Sequence, residues 1–282
     1  PRNSTSFALM IELMMVMGNS HDKGKSQMSN WYSTLVNTNF EIHDWGLIPY
    51  QQALDKQLVL VDEVALSRAE NRYPTDHLVF CTHPPVVTKG RSTKPDDIFA
   101  WSGEVVEVQR GGRATYHGPS QIVVYPILNM ARSRAGRPSQ DVVGLLRAME
   151  TSIINVLSIF GINGQGRSLQ LKPGQDLTAA ETGVWVTTSF PGLPEPFELS
   201  VNKSHSLKIA SLGIGVKKWV SFHGAAININ RDPSAFVGLN PCGFESQIMT
   251  NLEDVLKNNN RDTTIDRDRF KFLLAQEMLQ LL

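Results

Sequence analysis

"SFHGAAININ" spans Ser221 to Asn230, and "LNPCG" follows at Leu239 to Gly243. The first stretch reads as a strand that opens on a small-residue turn at Gly224 and runs through "AAININ". The second holds one of the chain's two cysteines between a proline and a glycine. A cysteine needed only for packing belongs inside an apolar run. A thiol in a rigid, exposed-looking turn just beyond a strand raises a chemical question.

Working outward from that strand, further β patterns lie at "LKIASLGIGV" (Leu207 to Val216) and "TGVWVTT" (Thr182 to Thr188). The proline-rich segment 189–206 between them predicts a surface excursion. Earlier, "HLVFCTH" (His77 to His83) is a short buried strand halted by Pro84 and Pro85. "EVVEVQR" (Glu104 to Arg110) and "QIVVYPIL" (Gln121 to Leu128) predict two strands flanking a loop. A helix is expected from about Pro49 to Glu70, with Pro49 in the first turn and Leu54, Leu58, Val61 and Ala65 on one face. A second, capped by Ser139 and closed by Gly161, carries Val142, Leu145, Leu146, Met149, Ile153, Val156 and Leu157 as its apolar stripe. Helical patterns return from about Asn251 and from Asp266 to Leu282. Strands and helices mix without a steady βαβ rhythm, which favours an α+β class over a doubly wound sheet.

Composition narrows the function. The chain has 282 residues, 41% of them apolar, enough for a substantial core. Its formal net charge is zero, so bulk electrostatics gives no argument for nucleic acid or membrane binding. Two cysteines are too few for a disulfide framework and point to a reducing compartment. No apolar run approaches the roughly 20 residues of a membrane span. "FALMIELMMVM" (Phe7 to Met17) is shorter, carries Glu12 and lacks the small-residue cleavage pattern of a signal peptide. Residues 18–37 are polar and turn-rich and read as a mobile lead-in, so residues 1–40 are expected to be a flexible extension and 41–282 a single domain.

The loop "RGGRATYHGPSQ", Arg110 to Gln121, carries the densest polar chemistry. Paired glycines, Gly111 and Gly112, let a backbone approach a ligand closely. Arg110, Tyr116 and His117 add donors and an aromatic wall. A glycine-rich hairpin with incidental polar residues fits the same pattern. The loop lacks the Lys-Ser/Thr ending of a phosphate loop, and no other stretch matches a nucleotide fingerprint. His83, His117, His223 and Cys242 are possible zinc ligands, but their spacing matches no short zinc motif, and no metal is expected. Cys81, inside "LVFCTH", reads as an inert core filler.

"RGGRATYHGPSQ", "KIASLG" (Lys208 to Gly213), "SFHGAAIN" and "NPCG", with the upstream "HPPVVTKGRS" (His83 to Ser92), occur in the order and similar spacing of the lipoyl(octanoyl) transferases. The resemblance covers roughly Glu41 to Glu245. Ser120 stands where that family usually has glycine, and the excursion at 189–206 is longer than usual. The resemblance implies a mixed sheet flanked by helices, like the catalytic domain of biotin and lipoate protein ligases. It implies octanoyl transfer from acyl carrier protein to a lysine of lipoyl domains, those of the 2-oxoacid dehydrogenases and the glycine cleavage H protein, with no cofactor. Cys242 would carry the acyl group as a thioester and Lys208 would be the base. A thiol attacks as thiolate, and free cysteine titrates near about 8.5, so a neighbouring base is required. Substrate would be held by Arg110, Gly111, Gly112, Arg113, Ala114, Thr115, Tyr116 and His117, by Ser211, Leu212 and Gly213, and by Gly224, Ala225 and Ala226. Backbone N–H groups of Leu212, Gly213, Gly224 and Ala225 are the candidate donors to the carbonyl oxygen.

The expected enzyme is a monomer of the cytoplasm, or of mitochondria in a eukaryote. Two other classes remain open: an ATP-using lipoate or biotin protein ligase, and a silent acyl-binding protein. Acidic carriers would dock on cations, and two runs qualify: Lys89, Arg91 and Lys94, and Arg132, Arg134 and Arg137. An ordinary solvated surface fits those runs equally.

Overall fold

A computed structural model describes residues 40–134, 136–168, 182–187 and 206–282. The lead-in at 18–37 and the excursion at 189–206, except Ser206, lie outside the described residues. Among the described residues the main sheet has seven strands. In chain order these are β1 (Phe40–Leu47) and β2 (Asp76–Thr82), and, beyond a smaller sheet, β6 (Gln121–Ile127) and β7 (Gly164–Gly166). The set closes with β8 (Gly183–Thr187), β9 (Ser206–Lys217) and β10 (Val220–Asn228). Their spatial order is β1-β2-β6-β10-β9-β8-β7. Only β1 and β2 run parallel; every other pair is antiparallel. The smaller sheet places β3 (Val86–Lys89) between β4 (Glu104–Glu107) and β5 (Thr115–His117).

Helix α1 (Tyr50–Ala69) covers β6 and β10, while α2 (Val142–Ile159) packs on β7 to β9 and against α4 (Arg267–Leu281). The short α3 (Leu252–Asn258) precedes α4. Covered on both sides, the central strands read as continuous apolar runs. In β2, Val79 and Cys81 belong to the cluster beneath α1, and the alternating Leu78 and Phe80 are equally buried on the other face.

Several local expectations change. "SFHG" is strand rather than turn: β10 begins at Val220, and His223 holds register opposite Ile214 although its φ is 61°. The strand expected at Glu104 to Arg110 ends at Glu107, and β3 emerges from the "VVTK" of the proline-led motif. Pro49 is the N-cap of α1, one position before its first turn. The buried face of α1 is Ala53, Gln57, Val61, Val64 and Ala65, with Leu54 and Leu58 half-buried. Buried Gln57 earns its place by accepting a hydrogen bond from the backbone N–H of His223, 2.8 Å away. Helix α2 is capped by Asp141, whose side chain accepts from Gly144 N at 2.7 Å, and not by Ser139. Gly161 ends it with φ 73°, as expected.

Two polar structures sit in this core. Asp76, fully buried at the start of β2, accepts from Asn129 N at 2.7 Å and from Arg132 at 2.8 Å, and pairs with Arg134. Arg137 donates to the Leu282 carbonyl at 2.8 Å. The arginine run expected as a docking surface is therefore a structural clasp. Beneath α1, His83 donates from Nδ1 to the Ile48 carbonyl at 2.8 Å, and its Nε2 meets the Tyr125 hydroxyl at 2.7 Å. Tyr50 lies 3.3 Å from His223 Nδ1 and stacks on His117 at 5.5 Å. Burial holds these imidazoles neutral: it lowers His83 to about 4, His223 to about 3, and His117 well below the usual value.

Removing one partner of a buried ion cluster leaves the others uncompensated. Asp76→Ala should cost about 3–5 kcal/mol in urea unfolding, whereas reversing exposed Arg91 should cost almost nothing. The histidines set a pH dependence. Their folded values lie below the unfolded value of about 6.5, so the unfolded chain binds protons first as pH falls. Stability is full above that value and drains away as pH drops towards 4. Unfolding free energy should fall steadily between pH 7 and 5; a flat profile would contradict the buried neutral assignment.

Candidate active site

Lys208 and Cys242, 34 residues apart, meet: Nζ donates towards Sγ across 3.3 Å. The lysine is fully buried in β9 and the thiol is 6% exposed. Each is placed by specific backbone features. Beside the Lys208 side chain, Gly183 of β8, paired in register with Ser211, has φ 148°. A Cβ there would stand 2.6 Å from Lys208 Cε and collide with the Ala210 carbonyl. Glycine thus clears the channel through which the lysine stem runs, with the Trp185 ring centroid 5.5 Å from its Nζ. Thr250 N donates to the Lys208 carbonyl at 2.9 Å, fastening the strand from the other side.

Cys242 occupies the middle of a one-turn 3₁₀ helix, Pro241–Gly243, in the left-handed region with φ 57° and ψ 17°. Such a conformation costs a non-glycine residue roughly 1–3 kcal/mol, and the surroundings must hold it. They do so by three contacts. Cys242 N donates to the Ala114 carbonyl at 2.9 Å, Gly243 N to Asn240 O at 2.9 Å, and Asn240 N to Asp97 O at 2.9 Å. Buried Asp97 in turn accepts from Arg113 Nε at 2.9 Å. Gly243, at φ 82°, has no Cβ to strike that guanidinium. The turn that looked exposed in sequence is thus sunk into the protein.

The thiol opens on a small cleft whose free volume is about 30 Å³. One wall comes from the glycine-rich loop: Arg110, Gly112, Arg113, Thr115 and His117. The other comes from β9 and β10: Ser211, Leu212, Gly213, Gly224, Ala225 and Ala226, the two strands facing each other through Gly213–Gly224 and Leu212–Ala225 pairs. Ser211 Oγ lies 3.9 Å from Sγ. Arg110 is buried and donates only to neutral oxygens among its hydrogen bonds: the carbonyls of Gly111, Arg113 and Thr88, and Thr88 Oγ1 at 2.7 Å. Two buried ring nitrogens, His117 Nδ1 and His223 Nε2, have no hydrogen-bond partner among the described residues.

Three expected contact residues do not line the cleft. Strand alternation turns Tyr116 away from Thr115 and His117; it packs on Phe236 and donates to Asp232 at 3.1 Å. Ala114 supports Cys242 from behind, and Gly111 N is spent on the Ile214 carbonyl at 3.1 Å. Gly224 serves strand packing, since a Cβ there would strike the Val124 carbonyl. Tyr50, Val123 and Tyr125, not among the expected contacts, also line the cleft, as does His223, expected as a pocket donor beside its glycine neighbour. Alternation along β6 carries a signal for Val123 and Tyr125; Tyr50 has none, because only the chain's topology brings α1 here. The histidine and cysteine quartet is not a ligand set: both ring nitrogens of His83 are engaged, and Cys242 faces Lys208. Cys81 is buried, and burial pushes its thiol well up. Of the remaining cationic run, Lys89 pairs with Glu107 at 2.8 Å, and Arg91 and Lys94 are exposed.

Comparison with known proteins agrees with this geometry. The family model for the lipoyl protein ligase A/B catalytic domain matches residues 49–278, past the Glu245 limit of the sequence resemblance and over α3 and α4. The chain is 46% identical over 240 residues to an octanoyltransferase of Bdellovibrio bacteriovorus, covering 85% of this chain and 97% of that one. It is 33% identical over 215 residues to an octanoyltransferase of Syntrophotalea carbinolica, covering 76% and 83%. Among solved structures, the bipartite lipoate protein ligase of Thermoplasma acidophilum shares the fold, with a TM-score of 0.54 at 15% identity over 87% of this chain and 84% of that one. The chain belongs to the octanoyltransferases of the lipoyl protein ligase A/B catalytic-domain family.

Proposed function

We propose that the chain moves an octanoyl group from acyl carrier protein to a lysine of lipoyl domains by way of a thioester on Cys242. The 3.3 Å contact between Lys208 Nζ and Cys242 Sγ carries the reading. Lys208 accepts the thiol proton, and the thiolate attacks the carbonyl carbon of the donor thioester. The C–S bond to the carrier breaks, and its leaving thiolate takes the proton from Lys208. In the second half-reaction the acceptor amine attacks the Cys242 thioester, Lys208 takes its proton, and that proton returns to the departing Cys242 thiolate. Exchange between thioesters is nearly neutral in free energy and aminolysis to the amide is downhill, so neither step requires ATP. The side-chain and backbone donors beside the thiol, Ser211 and the Leu212–Gly213 segment, would face the carbonyl oxygen as it gains charge. Apolar Val123, Leu212, Ala225 and Ala226 offer contact to the chain, at about 0.8 kcal/mol per buried CH₂.

The acceptors would be the lipoyl domains of 2-oxoacid dehydrogenases and the glycine cleavage H protein, served by a monomer in the cytoplasm or, in a eukaryote, the mitochondrion. Arg91 and Lys94 are the exposed cations left to meet an acidic carrier.

Mixing with octanoyl-acyl carrier protein should add the mass of one octanoyl group, and hydroxylamine should erase it. Cys242→Ser should give no adduct, while Cys81→Ser should keep the transfer. An adduct that survives Cys242→Ser, or transfer from free octanoate that needs ATP, would replace this reading with a ligase or another nucleophile. Lys208→Arg keeps the charge but cannot accept a proton at working pH, so it should lower kcat nearly as far as Lys208→Ala. A fully active Lys208→Arg would restrict the lysine to electrostatic support.

A further inference from the structure

At the outer edge of the main sheet, far along the strand order from β9, three metal-ligating side chains converge. Glu41 and His77 stand opposite each other in the parallel β1–β2 ladder, and His43 follows two residues after Glu41 on the same face of β1. His43 Nε2 lies 3.1 Å from His77 Nδ1, and that same Nδ1 lies 3.7 Å from a Glu41 oxygen. All three donor atoms fall within 4.8 Å of one another. We propose that Glu41, His43 and His77 form a site for a divalent transition-metal ion, with Zn²⁺ the reference ligand.

The spacing is what coordination requires. Two imidazole nitrogens at 2.0–2.1 Å from a tetrahedral ion stand about 3.3 Å apart. The observed 3.1 Å is within a small shift of that value. A plain hydrogen bond between the rings needs a proton between these nitrogens. A metal takes its place once His43 carries its proton on Nδ1 and His77 on Nε2, each nitrogen pointing away from the ion. Two imidazoles and one carboxylate suit zinc, copper and nickel, and not the hard cations that prefer oxygen cages. Access is graded: His77 is buried, His43 half-buried and Glu41 exposed, so the ion enters from solvent and keeps open positions for water. Glu63 of α1 contributes negative potential and Lys56 positive, so the local charge neither forbids nor explains the site. The cluster lies outside the cleft and outside every role assigned to Lys208 and Cys242. Its effect would be mechanical, clasping edge strand β1 to β2 and stabilising the fold by mass action.

The test uses the full chain without a histidine tag, on a Cys242→Ser background so that the active-site thiol cannot take the metal. Competition with a chromophoric chelator should show one Zn²⁺ bound per chain, and zinc should raise the thermal midpoint. His43→Gln should weaken binding by more than about 10-fold, the loss that even an outer-shell change brings, and should remove the thermal shift. Glu41→Gln, fully folded because Glu41 is exposed, should weaken it as well. In the Cys242-containing chain, His43→Gln should leave octanoyl transfer unchanged. Equal stoichiometry and affinity in both variants, or no saturable zinc binding below the millimolar range, would overturn the proposal.

Discussion

The contact between Lys208 and Cys242 constrains everything around it. A lysine with no exposed surface and a thiol with almost none must be brought together without water. Burying a polar amine is costly unless it is hydrogen-bonded, and the 3.3 Å contact with Sγ supplies Lys208 with one partner. The remaining architecture exists to hold that pair. Gly183 opens a path for the lysine stem, and the Pro241–Gly243 turn presents the thiol in a conformation that an unsupported cysteine avoids.

The support for the thiol comes from the segment that also lines the cleft. Through Ala114 and Asp97, the glycine-rich loop and the cysteine turn share hydrogen bonds and an ion pair with Arg113. Loop and nucleophile are therefore one mechanical unit. A shift of Arg113 or Ala114 would therefore move the backbone that sets the sulfur's direction. Beneath them, the neutral histidines and tyrosines under α1 give the cleft a polar back wall whose pattern survives only while the imidazoles stay uncharged.

The Lys208–Cys242 pairing and most of the sheet were legible in the sequence, because both depend on local pattern. β6, β9 and α2 are buried along whole faces, so their apolar periodicity is continuous and readable. Cys242 and Lys208 were legible through motifs in register, not through their surroundings. What stayed hidden depends on partners far away in the chain. The arginine run looked like a surface because its carboxylate, Asp76, lies over 50 residues earlier. Gln57 was passed over in favour of Leu54 and Leu58 because its acceptor role is set by a backbone N–H on β10. Tyr116 was misassigned for a different reason: treated as loop, it lost the alternation that its strand imposes.

The depth of the thiol has a redox consequence. Oxidation to sulfenate, glutathionylation or exchange with a foreign disulfide all require a reagent to reach the sulfur, and susceptibility follows exposure as well as thiolate character. Cys242, 6% exposed at the base of a narrow cleft, is reached more readily by a slender ligand than by a bulky oxidised peptide. Cys81 is shielded still further within β2. The fold thus opens one sulfur to a narrow cleft while holding bulky oxidants away from it.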